Sequence, residues 1–393
     1  MGAAFERRYR RSLAPALALA LIVAAVGARP ARAESELVPA YAESVMHGPA
    51  QAKGAVIWNH GASPFEDDSR SPNPRYLATL SEAGWDIFRN NRVDELAENR
   101  LARRSRDERL IGKTDELSRE VDRLKAEGYR RVALAGQSYG AWLSLSLADR
   151  RSDIYAVIAT SPAAYGTLER NPMYFEENAR YLANLVDELK VGRVLIAFFR
   201  DDPYDPGGRG PAMEAILQHR HIAHLIIDQP EIPTGHGGAN GAFFARRFGP
   251  CLAAFLAAPE PPKLADCASA AALEPSGEVL LPPGLELARA GGDRAMTPFL
   301  GEWWGIYGNG RELIFAIEKA DGVRVKAIYA YGPLGRESAG IEQVSGRLKD
   351  GRLLFAEPGK PRLEYRLEPD GRLAASWNRG DVTLGAHLRR ISP

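Results

Sequence analysis

The stretch Arg131-Val132-Ala133-Leu134-Ala135-Gly136-Gln137-Ser138-Tyr139-Gly140-Ala141-Trp142-Leu143-Ser144-Leu145 changes character halfway along. Residues 132–135, after Arg131, form an apolar run of strand length, and from Ala141 onward the apolar spacing is helical. Between them stands Gly-x-Ser-x-Gly, a pattern too short to carry weight by itself. Set between a strand and a helix, it reads as a sharp elbow. The serine takes a strained backbone at the tip, and a glycine on either side removes the clashes that side chains would make. Ser138 is therefore the candidate nucleophile, with Gly136 and Gly140 as the residues that permit the turn.

Working outward, short apolar runs alternate with helical stretches from about Ala40 to Ala258. Strands are expected at Ala55–Trp58, Trp85–Phe88, Val132–Ala135, Ala156–Ala159, Val194–Phe199 and Leu225–Ile227. Helices are expected around Pro74–Ala83, Thr114–Gly128, Ala141–Arg150, Met173–Lys190, Pro211–His219 and Ala239–Phe255. Runs that are apolar throughout suit strands covered on both faces, so the fold class is α/β with a doubly wound, mostly parallel sheet.

A serine hydroxyl needs a positioned base, and in this arrangement an acid and then a histidine follow it in the chain. His236, within Gly235-His236-Gly237-Gly238, follows the last strand of the series. Arg200-Asp201-Asp202-Pro203-Tyr204-Asp205-Pro206 follows Val194–Phe199. Both emerge at C-terminal strand ends, on the edge where Ser138 stands and where open α/β sheets place their ligands. Asp202 is the preferred acid, with Asp201 and Asp205 as the alternatives. Acyl transfer also needs two N–H donors for a developing oxyanion. The backbone of Tyr139 supplies one, and that of Ala62, after Asn59-His60-Gly61, supplies the other. His60 itself reads as a loop-holding residue rather than a second base.

Taken in order, His60-Gly61, Gly136-Gln137-Ser138-Tyr139-Gly140, Asp202 and Gly235-His236-Gly237 resemble the α/β-hydrolase superfamily, within it the dienelactone-hydrolase-like and small-esterase members. The resemblance spans residues of about 40 to 258. Dienelactone hydrolases proper use a cysteine where this chain has Ser138, so the resemblance implies a serine hydrolase acting on small-molecule carboxylic esters, with no cofactor. A peptidase of the same fold, or a binding protein that retains the fold without turnover, are the alternatives. Ser161–Arg193, where relatives insert a lid, is short and holds one helix, which implies an open site. Arg89, Arg92, Arg200 and Arg209 are candidates to face that site.

Composition narrows the rest. The 393 residues carry 51 Lys and Arg against 50 Asp and Glu, which leaves no surplus of cations for nucleic acid. The N-terminal residues read as a cleavable export signal over 1–33: Arg7, Arg8, Arg10 and Arg11, the apolar run Leu13–Val26, and Ala31-Arg32-Ala33. That run is shorter than the ~20 residues of a spanning helix, so stable membrane insertion is not expected, and a secreted or periplasmic address is. Such a compartment permits disulfides, and Cys251 and Cys267 are the only two cysteines. They exclude a Cys-rich metal site. His219, His221 and His224 lead into a strand without acidic ligands, so no metal is expected. His47 and His387 read as isolated.

The expected organisation is an α/β domain over 34–258, a proline-rich linker over 259–297 and a β domain over 298–393. In the last, periodicity drops to two, and Asp321-Gly322, Asp350-Gly351 and Asp370-Gly371 mark tight turns. About eight strands at this spacing imply a small antiparallel barrel or sandwich. Its start, Gly301-Glu302-Trp303-Trp304, is faintly similar to lipocalin-like barrels and raises a carbohydrate or apolar-ligand module as an expectation.

Overall fold

Every residue of the strands Ala55–Asn59, Ala156–Thr160 and Arg193–Phe198 is buried, as unbroken apolar runs require of strands covered on both faces. The structure, a computed structural model, describes the chain except residues 1–35, 43–44, 63–72, 93–105, 165, 168, 170–171, 206, 269–272, 290–293 and 393. The expected export signal and its cut near Ala33 lie outside the described residues.

Seven strands, β1 (Glu36–Pro39), β2 (Ala55–Asn59), β3 (Asp86–Asn91), β4 (Val132–Gln137), β5 (Ala156–Thr160), β6 (Arg193–Phe198) and β7 (Ala223–Asp228), form one sheet in the order β1-β3-β2-β4-β5-β6-β7. β2 to β7 run parallel, and β1 pairs antiparallel with β3 at the edge. This is the doubly wound, mostly parallel sheet of an α/β fold. β1 was not among the expected strands: it is short, ends in Pro39, and buries only Leu37, so it carries no apolar run to read.

Helices cover both faces. α1 (Tyr76–Glu82) and α6 (Ala242–Ala257) lie on one, where Tyr76, Leu77 and Leu80 meet Phe244, Phe248, Leu252 and Phe255 over Val56 and Trp58. α2 (Arg106–Ala126), α3 (Tyr139–Arg150), α4 (Pro172–Asp187) and α5 (Arg209–His219) lie on the other, over Ile57, Leu134 and Ile196. Helix α2 begins at Arg106 instead of Thr114. The chain stays helical through Gly112, and the Thr114 hydroxyl donates back to the Leu110 carbonyl, 2.7 Å away, within the helix. At the start of β6, the buried Arg193 guanidinium donates to the carbonyls of Phe255, Ala258 and Pro259, closing the C-terminal end of α6.

The C-terminal strands are β8 (Glu302–Ile306), β9 (Glu312–Asp321), β10 (Arg324–Tyr331), β11 (Gly340–Lys349), β12 (Arg352–Phe355), β13 (Arg362–Leu367), β14 (Leu373–Arg379) and β15 (Val382–Ser392). They close into an antiparallel barrel in the order β10-β11-β12-β13-β14-β15-β8-β9, which removes free sheet edges. At Asp350-Gly351 both residues take positive φ between β11 and β12, the conformation a two-residue hairpin turn demands. The interior is filled by the barrel's own rings: Trp303, Tyr307, Phe315, Tyr329, Phe355 and Tyr365 cluster there, and Phe315 stacks on Tyr365 at 3.9 Å. An apolar-ligand role for the barrel interior is therefore not what this packing provides.

Barrel and α/β layers belong to one compact unit. Ile232 and Phe243 from the α/β side pack with Trp304, Ile306 and Ile314 from the barrel, and Val279 of the connecting segment joins them. The buried Glu312 carboxylate accepts from the Trp304 indole and the Ser276 backbone, fastening the connection. Its first residues form a short helix, α7 (Leu264–Cys267), and Cys267 is disulfide-bonded to Cys251 of α6. The bridge closes a loop of sequence separation 16, worth about 3 kcal/mol in the chain-entropy treatment. Replacing both cysteines by alanine should lower the urea midpoint by a corresponding amount. A midpoint equal to that of the parent protein would show that the bridge contributes nothing.

Candidate active site

At the end of β4 the backbone turns at Ser138 with φ 55° and ψ −122°, conformations a residue with a Cβ rarely takes. The neighbours explain why the turn needs its glycines. A Cβ on Gly136 would sit 2.3 Å from the Gly140 carbonyl oxygen, and one on Gly140 would sit 2.1 Å from that of Asn59. The Ser138 N–H donates to Thr160 of β5 at 3.0 Å, and its carbonyl accepts from Trp142 and Ala163. Ser138 is thus held at the C-terminal edge of the sheet, half-buried, at the first turn of α3.

Imidazole and acid come from the next strand ends. His236 follows β7, and its Nδ1 lies 2.9 and 3.0 Å from the two carboxylate oxygens of Asp202, which follows β6. The Asp202 side chain is fully buried and also accepts the Tyr204 N–H at 2.9 Å. The Tyr204 ring lies against the imidazole, centroids 4.3 Å apart. Gln137, one residue before Ser138, donates its side-chain amide to the His236 carbonyl at 3.0 Å, tying the imidazole loop to the elbow. With Nδ1–H donated to Asp202, Nε2 is left with its lone pair free to accept a proton.

The three aspartates of the acid loop have three different partners. Asp205 takes Arg209 at 2.9 Å in an ion pair whose side chains are almost fully buried, and Arg209 also donates to the Pro162 carbonyl and lies over the Phe198 ring. Asp201 takes a left-handed backbone, φ 57°, and turns its exposed carboxylate toward His387, 3.8 Å from Nε2. Only Asp202 meets the imidazole of His236. Behind this loop, burial and the neighbouring Asp205 and Glu214 push the Asp228 carboxyl above its ordinary range.

Across the site, Asn59-His60-Gly61-Ala62 leaves the end of β2 beside the elbow. A Cβ on Gly61 would lie 3.4 Å from that of Ser138, an ordinary contact, and 2.5 Å from the Gln137 side-chain oxygen, which would have to move aside. His60 is buried, with Nδ1 2.6 Å from the Gly61 carbonyl. Arg92, also buried, donates to the carbonyls of His60 and Gly61, each at 3.1 Å, while its guanidinium lies over the Tyr139 ring. Ala62 is exposed at the end of this described segment.

Of the four arginines read as able either to face the site or to carry surface charge, Arg92 and Arg209 are buried and hold loops. Arg89 bonds the side chains of Asn73 and Asn91, and Arg200 bonds the Gln229 carbonyl at the surface. An arginine's donors can serve a substrate or a buried carbonyl equally well, and sequence does not separate the two. His387, read as isolated, is not: its Nδ1 is 2.7 Å from the Glu368 carboxylate, and it stands beside the acid loop. Among the described residues, no group of three His, Cys, Asp or Glu side chains gathers at metal-binding distances.

The barrel reaches this site too. The β8–β9 turn, Tyr307-Gly308-Asn309-Gly310, meets the imidazole loop glycine against glycine. The Gly237 N–H donates to the Gly308 carbonyl at 2.7 Å. A Cβ on Gly235 would fall 2.3 Å from the Gly308 Cα, and one on Gly241 would fall 1.8 Å from the Gly310 carbonyl oxygen. A clue stood in the sequence: Gly-x-Gly at 308–310 matches the spacing of the glycines around His236, but nothing in one strand of text says that two such loops touch.

No protein-family model matches the chain, and no curated protein matches it. Among solved structures it is similar to a puromycin-hydrolysing peptidase from Mycobacterium tuberculosis, at 14% identity and a TM-score of 0.40, covering 56% of this chain and 37% of the peptidase. It therefore spans little more than a third of that protein. It is also similar to an esterase from Pyrococcus furiosus, at 15% identity, TM-score 0.34, 51% of this chain and 83% of the esterase. A third likeness is to a putative dienelactone hydrolase from Klebsiella pneumoniae, at 13% identity, TM-score 0.36, 53% of this chain and 88% of the other.

Proposed function

We propose that this protein is a serine hydrolase that cleaves carboxylic esters through an acyl-enzyme on Ser138. The observation that carries the reading is the contact of His236 Nδ1 with both oxygens of the buried Asp202, on the sheet edge where Ser138 occupies a strained elbow. Asp202 fixes the imidazole tautomer, so His236 Nε2 takes the Ser138 proton as the hydroxyl oxygen attacks the ester carbonyl. The oxyanion that forms is met by the backbone N–H groups of Tyr139 and Ala62. Arg92 holds the His60 and Gly61 carbonyls of that loop. His236 then returns the proton to the departing alcohol. Water, activated by the same imidazole, releases the acid and restores the hydroxyl.

Export fits the same reading. The arginines and apolar run ahead of Ala33 suit a cleaved leader, and a disulfide between Cys251 and Cys267 suits an oxidising compartment. N-terminal sequencing of protein recovered from the periplasm should begin near Glu34; recovery of the intact N-terminus from the cytoplasm alone would refute export.

The mechanism is tested with short-chain 4-nitrophenyl esters and a fluorophosphonate. Ser138→Ala should abolish labelling, and Asp202→Asn should cut kcat by about 10⁴-fold, as loss of the correct tautomer does in serine triads. Asp201→Asn should leave kcat within about twofold, since an exposed carboxylate contributes little. Labelling that persists in Ser138→Ala removes the nucleophile assignment.

Asp205→Asn should act differently from Asp202→Asn. It strands the buried Arg209 charge and should lower stability by about 3–5 kcal/mol, with the specific activity of the folded fraction retained. Thermal melting alongside active-site titration separates the two effects. An Asp205→Asn protein of parental melting temperature but reduced kcat would move the acid from Asp202 to Asp205.

A further inference from the structure

Between the imidazole loop and the barrel lies a cleft of about 670 Å³, within the range of small-molecule sites. Gln137, Thr234 and His236 form its α/β side. Its other side is the outer surface of β14 and β15 with the β8–β9 turn, through Asn309, Ala374, Thr383 and Gly385. Gln137 joins the cleft to the elbow, because it precedes Ser138, bonds the His236 carbonyl and abuts Gly61. A group attached to an ester carbonyl at Ser138 and passing Gln137 and His236 would enter it.

Residue size opens the cleft. Ala374 and Gly385 present almost no side chain, and a Cβ on Gly385 would meet no atom within 4 Å. Charge is confined to one end, where Asp201 and His387 stand and Glu368 holds His387 from behind. Asp201 and His387 also line an adjoining pocket with Arg200, Arg372, Arg389 and Glu231, so the charges at that end are mixed and largely paired with one another. Next to His236 the wall is amide, hydroxyl, methyl and backbone.

Resting on the hydrolase reading above, we propose that the outer face of the barrel is the substrate subsite of this enzyme, and that it takes an uncharged, apolar-faced acyl or alcohol group of the ester. The barrel thus sets chain-length preference, with Gly385, Ala374 and Thr383 as the specificity-determining positions. Leaving Gly385 bare is what makes room, and a large side chain there would occupy the subsite without displacing the barrel.

The test compares kcat/KM across two series: 4-nitrophenyl acetate, butanoate and hexanoate, which vary the acyl group, and the acetates of ethanol, butanol and hexanol, which vary the alcohol. Gly385→Phe should lower the ratio of the longest to the shortest substrate by at least about tenfold in one series, which identifies the group bound. Thr383→Phe, at an exposed position, should move the same ratio and guards against misfolding of the first variant. Val382→Phe, exposed on β15 but outside the cleft, should leave the ratio at its parental value. Parental ratios in both series for both cleft variants, or an equal shift in all three variants, would overturn the subsite while hydrolysis and fluorophosphonate labelling stand. A parent protein that neither hydrolyses these esters nor takes up fluorophosphonate would overturn the hydrolase reading, and the subsite with it.

Discussion

Everything at the sheet's C-terminal edge depends on the close passage of the Ser138 turn beneath the end of β2. Gly140 lies so near the Asn59 and His60 carbonyls that no Cβ fits, and Gly136 is equally crowded by Gly140. The turn can exist only because three backbones approach without side chains between them. Strain at one residue costs about 1–3 kcal/mol and persists where the surroundings over-determine it. Here they do: hydrogen bonds from β5, from the first turn of α3 and from Ala163 reach the Ser138 backbone. Once the turn is set, the Asn59–Ala62 loop and the imidazole loop have a fixed object to pack against.

Buried charge around the site is arranged to hold backbone rather than to meet solvent. Arg92 satisfies the carbonyls of His60 and Gly61, Arg209 satisfies Asp205 and the Pro162 carbonyl, and Arg193 satisfies the end of α6. A buried guanidinium without such partners would be strongly unfavourable, whereas one with several converts a loop into a rigid support. The acid loop shows the consequence. Asp205 pairs with Arg209 through one carboxylate oxygen and Asp201 is turned outward, so Asp202 is the carboxylate positioned against the imidazole.

The barrel is joined to this machinery by contact that tolerates little change. Its core is self-contained, filled by stacked and edge-on rings, and its ligand-sized cleft lies outside, against the α/β layers. Apolar packing around Trp304 and Phe243 supplies the attraction, while the glycine-on-glycine contact at Gly235, Gly308, Gly241 and Gly310 sets the distance. Attraction from one part and close approach from another give a fixed wall beside His236.

The sequence by itself determined the parts whose signal is local. Unbroken apolar runs specify covered parallel strands, and period-two alternation with Asp-Gly turns specifies the barrel strands. The glycines around Ser138 specify the elbow, because backbone strain is a property of a few consecutive residues. Thr114 shows the limit even of local reading, since its hydroxyl bonds inside a helix that had already begun at Arg106. Tertiary structure alone decided which of Asp201, Asp202 and Asp205 meets His236, that Arg92 and Arg209 support loops, and that the barrel's turn and outer face border the site. Each of these depends on which distant residue lies within about 3 Å of a polar atom or a glycine, and hydrogen bonding at that range is settled by the packing of whole layers, which no stretch of sequence encodes alone.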